Sequence, residues 1–180
     1  MDSAASNAEP ANVSTKILIK TNHGNIKAEL YDERSPITVD NFLKYVDAGH
    51  YNGTIFHRVI PRFMIQGGGF SPDMIERETR DPIQNESKNR LRNDRGTLAM
   101  ARTSDPDSAT AQFFINVRMN FSLNYRMGES GYAVFGKVTQ GLDVVDTISI
   151  QRTGLFLNDE AEYDDVPKQS IIIESISRIP

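Results

Sequence analysis

Two short apolar runs open the patterned part of the chain. Lys16–Thr21 and Asn25–Leu30 are rich in Ile and Leu and are separated by Asn22-His23-Gly24. That pattern predicts two strands joined as a hairpin. The period then changes: Val39, Phe42, Leu43 and Val46 recur at i, i+3, i+4 and i+7, which makes one apolar stripe on a helix. Ser35 suits the N-cap, Pro36 the first helical position and Gly49 the position just past the end. Short apolar runs follow between turn residues: Thr54–Ile60, Phe63–Gly67, Thr97–Ala101, Phe113–Val117 and Ala133–Val138. A shorter helix fits Leu142–Ser149, with Leu142, Val145 and Ile148 inward, and a strand over Ser170–Ile179 closes the chain. Many short strands, two helices and no internal repeat argue for a barrel or sandwich rather than βαβ units. Phe70–Gly96 and Gln151–Lys168 read as loop-rich, and long loops in a compact domain often carry function.

Composition narrows the classes. A chain of 180 residues is the size of one domain and can bury roughly 70% of the surface its unfolded form exposes. Residues 1–14 are rich in Ala, Ser and Asn, with little apolar content, and read as a disordered tail before a single domain over residues 15–180. There are no cysteines, which removes disulfides, thiolate metal sites and cysteine nucleophiles together. The net charge is −4, without the dominant basic footprint of a nucleic-acid binder. No apolar run reaches the length of a membrane span. The N-terminus has no apolar h-region, so the expectation is a cytoplasmic protein. A periplasmic one is the alternative if Met1 replaces a removed signal peptide.

Four blocks carry a resemblance. Phe56-His57-Arg58-Val59-Ile60-Pro61-Arg62-Phe63-Met64-Ile65-Gln66-Gly67-Gly68 comes first, then Gly96-Thr97-Leu98-Ala99-Met100-Ala101, then Gln112-Phe113-Phe114-Ile115-Asn116, then Gly131-Tyr132-Ala133-Val134-Phe135-Gly136-Lys137-Val138. In this order, over about Lys16 to Ile179, the chain resembles the cyclophilins. Gln66-Gly67-Gly68-Gly69-Phe70 and Asp165-Val166-Pro167-Lys168 make it most similar to the compact bacterial-type members. The resemblance implies a mainly β fold, a closed eight-stranded antiparallel barrel capped by two helices. It also implies peptidyl-prolyl cis-trans isomerase activity, without cofactor or metal, on proline-containing polypeptides during folding. The alternative from another class is a non-catalytic binding module or chaperone using the same groove. A monomer is the default, because a closed barrel leaves no edge to recruit a partner.

By position in those motifs, the resemblance implies that Arg58 is the catalytic arginine and Gln66 the polar group that grips the substrate backbone. Phe63, Met64, Phe114 and Leu123 form the proline pocket, and Ala101, Arg102 and Gln112 receive the residues before proline. His57 sits beside the arginine, open between structural hydrogen bonding and a site role. Tyr132 stands where other members carry histidine. Ser122 stands where many have tryptophan before the pocket leucine, so weak cyclosporin binding is expected.

Each residue type also has a plainer reading. Phe63, Met64, Phe114 and Leu123 are ordinary core residues, and a lone Arg58 or Gln66 is an ordinary surface residue; only their joint pattern says more. Gly67-Gly68-Gly69 lacks the Lys-Ser/Thr of a phosphate loop. Gly128-Glu129-Ser130-Gly131 faintly resembles a serine-nucleophile loop, but only His23, His50 and His57 could serve it. Those histidines show no paired metal-ligand spacing. The acidic stretch Asp159, Glu160, Glu162, Asp164 and Asp165 lacks calcium-loop spacing and reads as a solvated face.

Overall fold

The computed structural model describes residues 14–180. The expected disordered tail, residues 1–14, lies outside the described residues except for Ser14, whose hydroxyl donates to the Glu29 carboxylate. The hairpin forms as β1 (Lys16–Thr21) and β2 (Gly24–Leu30). Then come α1 (Pro36–Asp47), β3 (Thr54–Ile55), β4 (Arg58–Ile60), β5 (Met64–Gly67), β6 (Thr97–Met100), β7 (Phe113–Asn116), β8 (Val134–Gln140), α2 (Leu142–Ser149), β9 (Thr153–Leu157), β10 (Glu162–Pro167) and β11 (Ile172–Ile179).

Nine strands form one strongly curled antiparallel sheet in the order β3-β11-β1-β2-β8-β6-β7-β5-β4. The fold class is the expected one, mainly β with two helices, but the closed eight-stranded ladder is corrected. The two edge strands, β3 and β4, are neighbours in the chain, linked by Phe56 and His57, and no ladder pairs them. The single run Thr54–Ile60 therefore divides into two strands on opposite edges. Single bonds lace the gap: Ile55 N–H donates to Phe70 O, and Gly68 N–H donates to Ile55 O. Gly67 permits this approach, since a Cβ there would stand 2.6 Å from the Ile55 carbonyl oxygen.

Strand alternation divides the side chains between two faces. Val59, Ile65, Leu98, Phe113, Ile115 and Phe135 point inward and join the helices in the main core. The stripe Val39, Phe42, Leu43 and Val46 of α1 is buried there, as are Val145 and Ile148 of α2. The helices sit at opposite ends: α1 is tied to β11 by Asp47–Arg178, and Val144 of α2 abuts Gly24 at the hairpin turn. The outward side chains of the same strands, Met64, Ala99, Phe114 and Val134, form a second buried cluster, and the site is built on that face.

Two local expectations differ from the structure. Ser35 precedes α1 as expected, but its hydroxyl donates to Val134 O at 2.7 Å. The cap comes from Glu86, 48 positions away: its carboxylate accepts from Thr38 N–H at 2.6 Å and Thr38 Oγ1 at 2.7 Å, a negative group at a positive helix end. Residues 151–168 form the hairpin β9–β10 rather than loop. Leu155, Phe156 and Leu157 are consecutive and Glu162–Asp165 is largely acidic, so neither stretch shows the alternation of a strand; Phe156, Tyr163 and Val166 pack with Ile55, Phe70 and Met74 in a satellite cluster.

Candidate active site

Register on the outward face brings the site together. Arg58 of β4 is the direct partner of Gln66 on β5, Gln66 is the partner of Phe114 on β7, and Phe114 is the partner of Ala99 on β6. Met64 lies two residues from Gln66 and therefore on the same face. A row that runs from a cation through an amide to apolar groups thus crosses four strands.

Nine of the residues singled out in the sequence line one open cavity of about 290 Å³: Arg58, Phe63, Met64, Gln66, Ala101, Arg102, Phe114, Leu123 and Tyr132. Met64 and Phe114 are buried, so the floor is apolar and fixed. Arg58 is exposed at the rim, with Nη1 donating to Gln66 Oε1 at 3.4 Å, and Gln66 Nε2 donates to Gln112 Oε1 at 2.9 Å. That chain orients the Gln66 amide. Gly69 makes room for Gln112, because a Cβ there would meet its side chain at 2.5 Å.

Gln112 lies one step away, in an adjoining polar hollow of about 210 Å³ that shares Gln66, Ala101 and Arg102 with the cavity and adds Glu76, Thr103, Ser108 and Thr110. Among the described residues that line the two hollows, His57 and Ser122 are not included. His57 alternates away from Arg58. It is buried, its ring centroid is 4.6 Å from that of Phe70 under the β9–β10 hairpin, and its Nδ1 has no hydrogen-bond partner among the described residues. Burial first, and the neighbouring Arg58 charge second, lower its pKa to about 4. Ser122 is exposed on the one-turn 3-10 helix Phe121–Leu123. Phe121 turns the other way, beneath the Arg92 guanidinium at 5.4 Å.

An asparagine network holds the cavity wall. Asn116 Nδ2 donates to Asn93 Oδ1 and Thr97 Oγ1, and Asn120 Nδ2 donates to Asn116 Oδ1 and Phe63 O. Asn93 Nδ2 in turn donates to Leu123 O and Tyr132 O. Buried amides with every partner in place rigidify what they touch, here the backbones of three cavity residues. Asn93 and Asn120 fall outside the apolar pattern and outside the matching blocks, so the sequence reading missed them. Glu76 was missed in the same way, because the long loop gives no spacing that would aim it at the groove.

The arrangement is an open cavity with an apolar floor and a guanidinium and a primary amide at its rim, and among the described residues no histidine or carboxylate lines it. Among the described residues no His/Cys/Asp/Glu group could hold a metal. The family model described as cyclophilin type peptidyl-prolyl cis-trans isomerase/CLD matches residues 16–178. The chain is 52% identical over 172 residues to peptidyl-prolyl cis-trans isomerase A of Dickeya dadantii, covering 96% of this chain and 88% of that one. It is 53% identical over 165 residues to peptidyl-prolyl cis-trans isomerase B of Escherichia coli, covering 89% and 98%. A Cryptosporidium parvum cyclophilin type peptidyl-prolyl cis-trans isomerase, crystallised in the presence of the dipeptide Ala-Pro, is similar in structure with a TM-score of 0.73 and 30% identity, covering 92% of this chain and 99% of that one.

Proposed function

The chain belongs to the cyclophilin-type peptidyl-prolyl cis-trans isomerase family and is an isomerase of X–Pro bonds, and from that premise we propose how its cavity performs the rotation. Turning the bond breaks amide conjugation, against a barrier of about 18–20 kcal/mol. No covalent bond forms or breaks, so the protein has only to favour the twisted amide over both planar forms. In the twisted form the proline nitrogen regains its lone pair and can accept a hydrogen bond.

Arg58 is the donor to that nitrogen. A guanidinium keeps its charge and holds its N–H groups in a rigid fork, and a fixed donor aimed at developing electron density acts selectively on the transition state. Phe63, Met64, Phe114 and Leu123 hold the pyrrolidine ring still. Gln66, oriented by Gln112, grips the neighbouring peptide group so that the other side of the bond turns. The observation that carries this reading is the convergence of Arg58 and Gln66 on the rim of a cavity floored by Met64 and Phe114.

The substrates are proline-containing polypeptides, with the residues before proline entering over Ala101 and Arg102 towards Gln112. Retention of the Arg58 donor favours catalysis over passive holding of a peptide. A monomer is supported by the edges, because β3 and β4 are only two and three residues long and offer little template to a second chain. The test is an NMR exchange or protease-coupled assay on a short X–Pro peptide, comparing the natural protein with Arg58→Ala. Equal rates would overturn the role of Arg58.

A further inference from the structure

The cavity adjoins the polar hollow through Gln66, Ala101 and Arg102. Elsewhere on its rim it ends at the 3-10 turn Phe121–Leu123. Leu123 faces the cavity, while Phe121 faces a separate hollow of about 500 Å³ formed with Arg90, Leu91, Arg92, Tyr125 and Met127. Phe121 is 60% exposed and Met127 is 93% exposed, an unusual pair of large apolar groups to leave in water beside a binding cavity.

The charge here runs against the rest of the chain. The molecule carries a net −4, yet among the described residues this hollow is lined by two arginines and no carboxylate. Among the described residues, Arg92 meets Asp94 only through Nε at 3.7 Å, with both side chains about half exposed, and its Nη2 has only the Met119 sulfur at 3.7 Å. Arg90 takes a left-handed backbone conformation with φ 61°, which a non-glycine residue adopts only under strain. The position is held there by Arg90 N–H donating to Ser87 O and by Leu91 N–H donating to Asn89 Oδ1. Leu91 also packs in the outward cluster that floors the cavity, so the two hollows share one rigid wall.

We propose that this hollow is an extended substrate subsite, which takes the polypeptide segment following the proline and selects segments that combine an aromatic or aliphatic side chain with Asp or Glu. The inference rests on the isomerase reading above, in which the residues before proline leave over Ala101 and Arg102, so the chain after proline leaves past the turn. An apolar side chain covers Phe121 and Leu91, and a carboxylate meets the open edges of Arg92 and Arg90. Bidentate guanidinium–carboxylate pairing gives such a contact both direction and selectivity.

The experiment uses the full chain and three peptides with one Ala-Pro core: a short tetrapeptide, the core followed by about five residues containing Phe, Asp and Glu, and the same tail with Lys in place of the acids. About five extended residues span roughly 17 Å, enough to cross one 3-10 turn. The acidic tail should lower KM about threefold to tenfold relative to the lysine tail, as expected for a few partly exposed charge pairs. The advantage should shrink when salt is raised to about 0.5 M. The double variant Arg90→Gly/Arg92→Gln should abolish it while leaving turnover of the tetrapeptide unchanged, since glycine suits the left-handed backbone at position 90. Equal KM for both tails, or an acid preference that survives in the double variant, overturns the proposal. Equal tails together with tight binding of a short oligonucleotide would assign the patch to nucleic acid and overturn it as well. Failure to turn over the tetrapeptide at all would instead overturn the isomerase reading, so the two failures are distinguishable.

Discussion

The Arg102 guanidinium lies over the Tyr132 ring, 4.4 Å from its centroid, and Tyr132 meets Phe114 edge-on with the ring centroids 5.8 Å apart. Arg102 is held from behind as well: Nε and Nη2 donate to Gly131 O, Nη2 donates to Ser130 O at 3.0 Å, and Nη1 donates to Thr103 O at 2.8 Å. Each guanidinium nitrogen is thus bonded to a backbone carbonyl. The residue therefore acts as a pin for the cavity wall rather than as an open charge awaiting a substrate.

Arg102→Ala should lower kcat/KM for a short X–Pro peptide by about tenfold, the scale of one partly desolvated cation–π contact with its hydrogen bonds. Tyr132→Phe should stay close to the natural protein, because the ring face carries the contact. Equal damage from both variants in the exchange assay would show that the phenol hydroxyl is needed as well, and would overturn the account in which the ring face alone carries the contact.

Arg58→Ala should lower kcat/KM by at least about tenfold with unchanged circular dichroism, since one aimed donor at such a site is worth about 2.7–4 kcal/mol. Arg58→Lys should be impaired too, because an ammonium cannot reproduce the planar fork. Exposure of Arg58 on a three-residue edge strand makes a fold defect an inadequate explanation for either loss.

The elements that carry a clear period were legible in the sequence: the 16–30 hairpin, both helices and the runs that became β5 to β8. The cavity was legible through joint motifs, and nine of its candidates converge. What failed depends on side-chain direction and distant partners. His57 is adjacent to Arg58 in sequence, and strand alternation alone sends it to the opposite face. Glu86 caps α1 from 48 positions away, and no local pattern announces that. Closure of the barrel was inferred from resemblance, whereas the break between β3 and β4 depends on which backbone groups pair around Phe56 and His57.

Asn93→Ala should cost about 2–3 kcal/mol in a urea titration, because it leaves one N–H of the buried Asn116 amide without its acceptor and removes donors from Leu123 O and Tyr132 O. KM for a short peptide should rise with it, since both carbonyls belong to cavity residues. A loss below about 0.5 kcal/mol, the scale of a surface change, would mean that the network is not a structural tie.

Cyclosporin should inhibit weakly, and Ser122→Trp should strengthen inhibition. Ser122 is exposed on the turn that borders the cavity, so an indole there has room to lie over bound ligand, and a buried aromatic can contribute a few kcal/mol. Nanomolar inhibition of the unmodified protein in the peptide assay would show that another group already supplies the contact.

His57 separates stability from catalysis through pH. Its pKa is lowered to about 4 by burial, with Arg58 adding to the effect, against about 6.5 for the unfolded chain. Between those values the unfolded state binds more protons, so stability rises with pH. The contribution is fully present above about pH 6.5 and is lost as pH falls through about 4, and it is worth about 3 kcal/mol. His57→Gln should flatten the fall in urea midpoint across that window, and parallel curves for the two proteins would refute the burial account. The rate behaves differently. His57 stays neutral from about pH 5.5 to 8.5 and faces Phe70 rather than the cavity, and among the described residues no histidine or carboxylate lines the cavity itself. A proton-transfer mechanism would follow the titration of its acid or base, whereas donation from a guanidinium does not titrate there. kcat/KM for one uncharged peptide should therefore be nearly flat across that range in both the natural protein and His57→Gln. A loss of activity with unit slope, abolished by His57→Gln, would place the histidine in the reaction and overturn the arginine-only mechanism.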